Sequence, residues 1–486
     1  MRNLIIGFVC FAVLFVGVFF GVQFVTKTGV FRVPGVVYYD EGLDDAEYAL
    51  LNGIFDEAVD LDKDVRVSVR NELTMPELKT GEFLYNIYVP VTDFYSTETG
   101  VTVERADEMF NNCLECEWKL IPVDELSFKQ KLLKINDKYY LDDFKSGAVF
   151  RIISFESELY EKEIAPLVAG KMKREFPSGD DVLTLAQTGV TALSRGMNRK
   201  LNQVGEAEYF AKNIGEFLSS FDLTHTSNES SFTDFASDSN ICSDKRFIDT
   251  LTAIGLDIVE LTGNHNQDCG WVAAEETIDT YRENGISIVG GGKTATEAAV
   301  PLEIDKKDNK ITMLAFNEST GGATYGDLPG ANQYYEDVAA AQIAEAKARG
   351  DLVIVDVQYY ECNAYASEYE DPTCDRADSA AGDQVGFFRH LIDLGADVVV
   401  GTSAHQPQTF ELYGNGVIYY GLGNLFFDQI WWPGTTRSLV LVHHIYKDKL
   451  LQTQVVPTVY GSEMQTRLLD EETAKWFLER LLSVRP

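Results

Sequence analysis

The stretch GLDIVELTGNHNQDCG at residues 255–270 decides the fold, because an apolar run leads directly into a polar turn. Its first part, LDIVELT (256–262), has the continuous apolar pattern of a strand that is buried on both faces of a sheet. Gly263-Asn264-His265 follows at the carboxyl end of that strand. Ligands in open α/β sheets bind at the carboxyl ends of strands, so the same stretch predicts a functional site.

Apolar runs of this kind recur along the chain and alternate with helical patterns. The other predicted strands are DVLTLAQ (181–187), DLTHTS (222–227), ISIVG (286–290), LVIVDVQYY (352–360) and DVVVG (397–401), and the predicted helices span 207–220, 245–254, 272–283, 334–348, 383–394 and 471–483. A hairpin that turns at Gly414-Asn415-Gly416 and two strands within 436–460 add antiparallel pairs. We therefore expect an α/β sandwich with mixed sheets over residues 180–486.

Composition sets the class of protein. The chain has 486 residues, of which 45% are hydrophobic and 24% charged, which excludes a mostly disordered protein. Lys and Arg total 41 against 76 Asp and Glu, so the formal net charge is -35. Such a surface repels phosphate backbones, and nucleic-acid binding is not expected. The acidity fits high solubility or a saline habitat at least as well as a role in binding cations.

The amino-terminal segment predicts the compartment. Residues 4–25 carry no charge and have the length of one membrane-spanning helix. Arg2 precedes them, which favours a cytoplasmic N-terminus and an extracytoplasmic bulk. Because no small-x-small cleavage site follows, we predict an uncleaved transmembrane signal anchor in the cell membrane, with a cleaved signal as the alternative. Residues 26–45 are then a linker.

Residues 46–165 predict a small α/β domain without a chemical motif. GEFLYNIYVPV (81–91) and GAVFRIISF (147–155) are typical of strands, and SFKQKLLKI (127–135) is typical of an amphipathic helix. The role of this domain stays unassigned.

Six cysteines outside the apolar segment fall into three local pairs, namely Cys113/Cys116, Cys242/Cys269 and Cys362/Cys374. An even number of cysteines fits disulfides in an oxidising compartment. Cys113 and Cys116 could alternatively form half of a zinc site, but no second CxxC completes it.

Polar side chains follow five of the predicted strands. They are Arg195 after the first strand, Asn228 and Glu229, then Asn264 and His265, then Gln358 and Glu361, and finally Ser403 and His405. An Asn oxygen or a neutral imidazole can ligate a metal, a carboxylate can ligate or act as a base, and an adjacent His can donate a proton. The alternatives are a helix-capping loop, a solvated acid and a turn histidine. Asp268 is expected to cap the following helix.

The other histidines read as structural. His443 and His444 are neighbours on a predicted strand, so their rings face opposite sides and cannot chelate one ion. His225 lies within a strand and His390 on an amphipathic helix.

The order of these pieces resembles the CapA family of capsule-synthesis proteins, also called poly-gamma-glutamate biosynthesis proteins. The likeness covers the carboxy-terminal ~300 residues, through TGVTALSRGM (188–197), SNESSF (227–232), GLDIVELTGNHNQDCG (255–270), LGADVVVGTSAHQPQ (394–408) and VIYYGLGNLFFDQ (417–429). It implies a four-layer α/β sandwich related to calcineurin-like metallophosphoesterases, with a metal site at the strand ends. It also implies work on an anionic cell-surface polymer, and a polymer-synthesis complex as partner.

This chain departs from the family pattern at three places. The family usually opens with Gly-Asp, whose Asp binds metal, and the aligned pair here is Thr188-Gly189. It commonly has a His where this chain has Gln358, and a His-x-His pair where this chain has Ser403-Ala404-His405. The resemblance therefore implies one weakly held divalent metal (Mn, Zn or Fe), or none.

Carried onto this chain, the resemblance gives a set of expected roles. Metal ligation falls to Glu229, Asn264 and His405, catalysis to His265 with Glu229, and substrate binding to Asn228, Arg195, Gln358, Glu361, Ser403 and Asn424. Two hypotheses follow: a membrane-anchored hydrolase or transferase acting on a surface polymer or its precursor, and a non-catalytic protein that binds a polymer or a partner at the same cleft. An ordinary dinuclear phosphoesterase would need more carboxylate and imidazole ligands than remain.

Overall fold

A computed structural model describes residues 37–40, 42–56, 63–102, 117–158, 160, 164–172, 174–318, 321–359, 383–431 and 433–486. They form two compact units. The amino-terminal unit contains the described residues up to Val89 and Lys145–Phe176, and the sandwich unit contains Pro90–Phe144 and Pro177–Pro486. The segment 46–165, predicted as one domain, is thus divided between them.

The predicted anchor at residues 4–25 lies outside the described residues. Among the residues that are described, no helix is long and apolar enough to cross a membrane. The anchor and the membrane location therefore stay predictions.

In the amino-terminal unit, two helices pack against a sheet. The strands, in spatial order, are Val37–Tyr39, Val65–Thr74, Ser146–Glu156 and Glu82–Asp93, and the helices are Asp45–Asp56 and Ala165–Met172. Leu51, Ile54 and Val168 from the helices share one core with Val67 and Ile153 from the strands. Both predicted strands of this region are confirmed.

The first sheet of the sandwich unit is mixed. In spatial order its strands are Ser287–Val289, Ile258–Glu260, Leu223–Asn228, Leu183–Thr191, Arg437–Tyr446, Lys449–Val459 and Arg467–Leu468, with Asn424–Phe426 paired to Leu183–Thr191. The first four strands run parallel, and the last three add antiparallel pairs.

The second sheet of the sandwich unit is also mixed. Its strands, in spatial order, are Leu302–Lys306, Asn309–Asn317, Leu352–Gln358, Val398–Gly401, Gly416–Tyr419 and Phe410–Tyr413. The middle four are parallel, and both edge strands are antiparallel to their neighbours. The last two form the predicted hairpin, in which Gly414 adopts a positive φ of 56°.

Helices cover the outer faces of both sheets. The helices of the sandwich unit are Tyr140–Asp143, Gly196–Val204, Gly215–Leu218, Ile248–Ala253, Trp271–Glu283, Ala295–Ala298, Glu336–Arg349, Gln384–Asp393 and Glu471–Leu482. One core holds residues from both sheets, such as Leu185 and Ile354. Two further cores join a sheet to its helices, as Val259 joins Ile278 and Val353 joins Ile343. Most strands are buried on both faces, which explains their continuous apolar sequences.

Two helix predictions are wrong. Residues 127–135 contain the short strands Gln130–Leu132 and Lys134–Ile135, because pairing with Val91–Asp93 and Gly100–Val101 overrides a weak helical pattern. The predicted helix 207–220 is broken into a 3-10 turn at Ala207–Ala211 and the short helix Gly215–Leu218. A side chain at Gly215 would lie 2.9 Å from the Ala253 carbonyl oxygen, so the backbones pack closely there.

Candidate functional site

The ends of three parallel strands meet in one hydrogen-bonded cluster. Gln358 ends the strand Leu352–Gln358 of the second sheet, and its Nε2 donates to Glu229 Oε1 (3.3 Å) and Asn264 Oδ1 (3.2 Å). Glu229 and Asn264 follow neighbouring strands of the first sheet. The two sheets are therefore joined at this edge by carboxylate and amide groups, as expected for parallel strands whose carboxyl ends share one edge.

The orientation of the Gln358 amide follows from its partners. Both neighbouring atoms are oxygens and can only accept, so the NH2 group must face them. The Gln358 amide nitrogen thus lies between two oxygens that could otherwise share a cation. This arrangement leaves the oxygens satisfied by a neutral donor.

His405 comes to the same cluster from the loop after Val398–Gly401. Its Nδ1 lies 2.8 Å from Asn424 Oδ1, an acceptor, so Nδ1 carries the proton. The Asn424 amide nitrogen donates to the Thr435 carbonyl oxygen at 3.0 Å, which fixes its orientation. His405 Nε2 then faces Glu229 Oε2 at 3.8 Å, too long for a hydrogen bond. Both side chains are almost fully buried.

Close backbone packing shapes this edge of the sheet. A side chain at Gly263 would lie 2.7 Å from Glu229 Cα, so a glycine lets the Asn264 turn approach the glutamate. Gly321 approaches Asn264 from the other side, where an added Cβ would lie 3.1 Å from Asn264 Cβ. Asn264 is held between these two backbones.

The same packing accounts for the glycine at position 189. A Cβ on Gly189 would lie 2.0 Å from the Gly423 carbonyl oxygen, because the segment leading into Asn424–Phe426 lies directly against it. Val190 N donates to that same oxygen at 2.8 Å. No side chain fits there, so the carboxylate expected from the family pattern has no space at this position.

His265 lies on the partly exposed side of the loop. Its Nδ1 is 2.8 Å from Asp268 Oδ2, and 27% of its side chain is exposed. The expectation that Asp268 caps the next helix is wrong: the N-cap is Gly270, without a side-chain hydrogen bond, and Asp268 contacts His265 instead.

A disulfide fixes this loop. Cys242 and Cys269 are bonded, as the spacing predicted. Ser231 Oγ adds a hydrogen bond to the Asn266 carbonyl oxygen at 2.5 Å. The other two predicted pairs lie outside the described residues.

The remaining candidate residues occupy varied positions. Arg195 pairs with Asp428 (2.5 Å) and lies over the Phe427 ring, which is 5.3 Å from the His405 ring. Asn228 donates to the Ser230 carbonyl oxygen at 2.8 Å and so holds its own loop. Ser403 is buried, with no hydrogen-bond partner for its hydroxyl among the described residues. Glu361 lies outside them.

Sequence reasoning missed a set of ionisable groups beneath this cluster. Asp356 and Glu260 are fully buried between the sheets, and His225, expected to be merely structural, lies 3.2 Å from Asp356. One signal was available: Asp356 interrupts the apolar run LVIVDVQYY. His443 and His444 diverge as predicted, since His443 contacts Gln187 and the His444 ring packs near Tyr139.

The donor set at the strand ends limits what it can hold. Within the described parts of the chain, no group of three or more His, Cys, Asp or Glu side chains is arranged to bind a metal ion. One carboxylate and one imidazole, with amides beside them, fit a single divalent ion and not a dinuclear centre.

Two mixed sheets with helices outside, and a carboxylate, an imidazole and amides at the strand ends, define an α/β sandwich protein with a strand-end site. Residues 184–429, just over half of the chain, match the family model described as "Bacterial capsule synthesis protein PGA_cap". The chain belongs to this family, and the predicted membership is confirmed.

Individual relatives are similar over much of the chain. The "Capsule biosynthesis protein CapA" of Bacillus anthracis is 23% identical over 292 residues, covering 57% of this chain and 67% of the relative. The "PGA biosynthesis protein CapA" of Bacillus subtilis (strain 168) is 25% identical over 345 residues, covering 68% and 85%. TT1561 of Thermus thermophilus, a solved structure, aligns with 55% of this chain and 99% of its own at 9% identity, and its TM-score of 0.30 carries no argument.

Proposed function

We propose that this protein acts in making, modifying or exporting an anionic cell-surface polymer of the capsule or poly-gamma-glutamate type, as a membrane-anchored, extracytoplasmic hydrolase or transferase. The names of the two Bacillus relatives support the process. The apolar segment 4–25 supports the location. We also propose that the sandwich is of the four-layer metallophosphoesterase type, with its site at the strand ends.

One observation carries the proposed chemistry: the 3.8 Å separation of His405 Nε2 and Glu229 Oε2. Two ligands about 2.1 Å from one ion are separated by about 3.4 to 4.2 Å, whatever the angle between them above tetrahedral. The two atoms are thus too far apart to hydrogen-bond and well placed to share a divalent ion. Asn264 would complete the protein ligands if Gln358 moved aside.

Such an ion, when bound, would polarise a carbonyl or phosphoryl oxygen of the substrate. Asn424 keeps the His405 proton on Nδ1 and so leaves the lone pair on Nε2. His265 would donate a proton to the leaving group, and Asp268 stabilises the charged form of its imidazole. Glu229 could instead act as base, although its Oε1 already accepts from Gln358.

Manganese binding by the full-length chain tests the metal site. We expect about one Mn²⁺ per chain by titration calorimetry, and a loss of affinity of at least about tenfold in His405→Ala and in Glu229→Gln. His390→Gln is the matched control, because His390 pairs with Glu336 on a helix surface away from the cluster. Absence of binding by the wild type, or equal loss in the control, would contradict the metal site.

Polymer processing tests the reaction. Wild type is incubated with poly-gamma-glutamate or with a capsule polysaccharide, and the length distribution is followed by size-exclusion chromatography. A hydrolase shortens the polymer and a transferase redistributes its lengths, and His265→Gln should abolish either change. Unchanged lengths with both polymers would refute the enzymatic proposal.

The position of Gln358 favours a second candidate function, a non-catalytic protein that binds polymer or a partner protein at this cleft. Its amide nitrogen satisfies two oxygens that a metalloenzyme would give to the metal. A Mycobacterium tuberculosis relative, 29% identical over 191 residues, is named a "Probable polyglutamine synthesis accessory protein", which supports a part in a synthesis complex. Polymer retention by a chain that binds no Mn²⁺ would support this candidate.

A further inference from the structure

The space between the two sheets changes from apolar to polar halfway along the strands. On five strands an inward-facing core residue is followed two positions later by a polar one, as in Leu185 to Gln187, Leu223 to His225, Ile258 to Glu260, Ile354 to Asp356 and Leu441 to His443. Residues two apart on a strand face the same side, so these five polar side chains form one layer. All five are fully buried.

Hydrogen bonds in this layer have a defined direction that ends on Asp356. His443 lies 2.9 Å from the Thr453 hydroxyl through Nδ1 and 3.1 Å from Gln187 Oε1 through Nε2. Since Gln187 Oε1 can only accept, His443 Nε2 carries the proton. Gln187 Nε2 in turn donates to Asp356 Oδ1 at 2.5 Å, and His225 Nε2 lies 3.2 Å from Asp356 Oδ2. Donors face both oxygens of Asp356, which favours its ionised form.

Glu260 has a different environment. Its Oε1 accepts from the Thr262 backbone N–H at 2.5 Å and from the Thr262 hydroxyl, while Oε2 has no hydrogen-bond partner among the described residues. The titratable groups that act on it are Asp356 from the opposite sheet and His225 from the neighbouring strand. His443 brings no positive charge, because burial lowers its pKa to about 3.

We infer that Glu260 is a buried proton-binding group, protonated at neutral pH beside the ionised Asp356, and that it loses this proton as the solution becomes alkaline. Two carboxylates without solvent and with a single nearby imidazole cannot both ionise cheaply. Burial first, and then the charge of Asp356, raise the pKa of Glu260 to about 7.

The proton matters for the site above it. Asp356 lies two residues before Gln358, and Glu260 four residues before Asn264, so this layer is directly behind the strand-end cluster. A strand advances about 3.3 Å per residue, which places the two layers about 7 Å apart along Leu352–Gln358. Ionisation of Glu260 therefore adds a negative charge behind the cluster, whether or not the cluster binds metal.

Infrared spectroscopy of the full-length chain tests this inference directly, since a protonated carboxyl has its own C=O stretching band. We expect such a band to disappear on raising the solution from about pH 5 to about pH 9, with a midpoint near 7. Glu260→Gln should remove the band. The matched control is Glu411→Gln, because Glu411 is equally buried but pairs with Arg389 through two 2.8 Å contacts, and it should retain the band.

Two measurements keep the test decisive if Glu260→Gln fails to fold. Carboxyl ¹³C-labelling of all glutamates should shift the band, and Asp356→Asn should lower its midpoint by removing the neighbouring charge. A titrating band that persists in Glu260→Gln, that ignores the glutamate label, or that is absent from the wild type would overturn the inference.

Discussion

Replacing Glu260 with glutamine should stabilise the protein above neutral pH and leave its stability nearly unchanged near pH 4. Glutamine has the shape of the protonated acid and can still accept from Thr262 through its carbonyl oxygen. It cannot ionise, so it removes the cost that the wild type meets when a second carboxylate forms between the sheets.

The sign follows from which state binds the proton. The pKa of Glu260 is about 7 in the folded protein against 4.5 as its ordinary value. Between these two pH values the unfolded chain has lost the proton and the folded chain has kept it, so the folded state binds more protons. Stability then falls as pH rises from about 4.5 to about 7 and is level above that range.

The magnitude comes from the same two values. One pH unit over which one extra proton is bound changes the free energy of unfolding by about 1.4 kcal/mol. The interval from 4.5 to about 7 therefore amounts to about 3 kcal/mol. Glu260→Gln should exceed the wild type by about this amount at about pH 8 and by little near pH 4.

Urea denaturation at a series of pH values measures this difference. The fluorescence of Trp118, a buried residue of the sandwich unit, contributes to the signal. Glu411→Gln is again the control, and it should destabilise the protein at neutral pH because Arg389 loses its buried partner. Wild-type and Glu260→Gln curves that run parallel with pH would refute the reasoning.

Three further predictions concern the strand-end site. Replacing both Cys242 and Cys269 with serine should lower the free energy of unfolding by about 3.5 kcal/mol, the loop-closure value for their separation of 27 residues; urea denaturation measures this, and reducing agent should then have no further effect on the variant. Gln358→His should raise Mn²⁺ affinity at least about tenfold in titration calorimetry, because an imidazole would replace the amide donor between Glu229 and Asn264; unchanged affinity would argue against a metal at this cluster. Gly189→Asp should gain no Mn²⁺ affinity and should lose about 3 kcal/mol of stability in urea, since its Cβ would meet the Gly423 carbonyl oxygen; a stable variant with tighter binding would contradict the packing described above.

Strand positions in the sandwich unit could be predicted because most are buried on both faces and carry unbroken apolar runs. The convergence of Glu229, Asn264 and Gln358 also followed from the sequence, since parallel strands end at one edge. Their roles in metal binding or catalysis stay predictions.

The misses share a physical origin in contacts between distant segments. The pairing of Glu260 with Asp356 depends on how the two sheets face each other, which no local pattern contains. Residues 127–135 became strands through partners some 40 residues away. Asp268 bonded His265 because the turn at Gly270 started the next helix two residues later.

The contact between Gly189 and Gly423 also limits how this site can evolve. A single substitution at position 189 must push aside the backbone that carries Asn424, and with it the hydrogen bond that orients His405. A route to a second carboxylate ligand therefore has to remodel the 423–426 segment first. Position 358 faces no such backbone barrier, so new ligands can be gained from the second sheet far more readily than from the first.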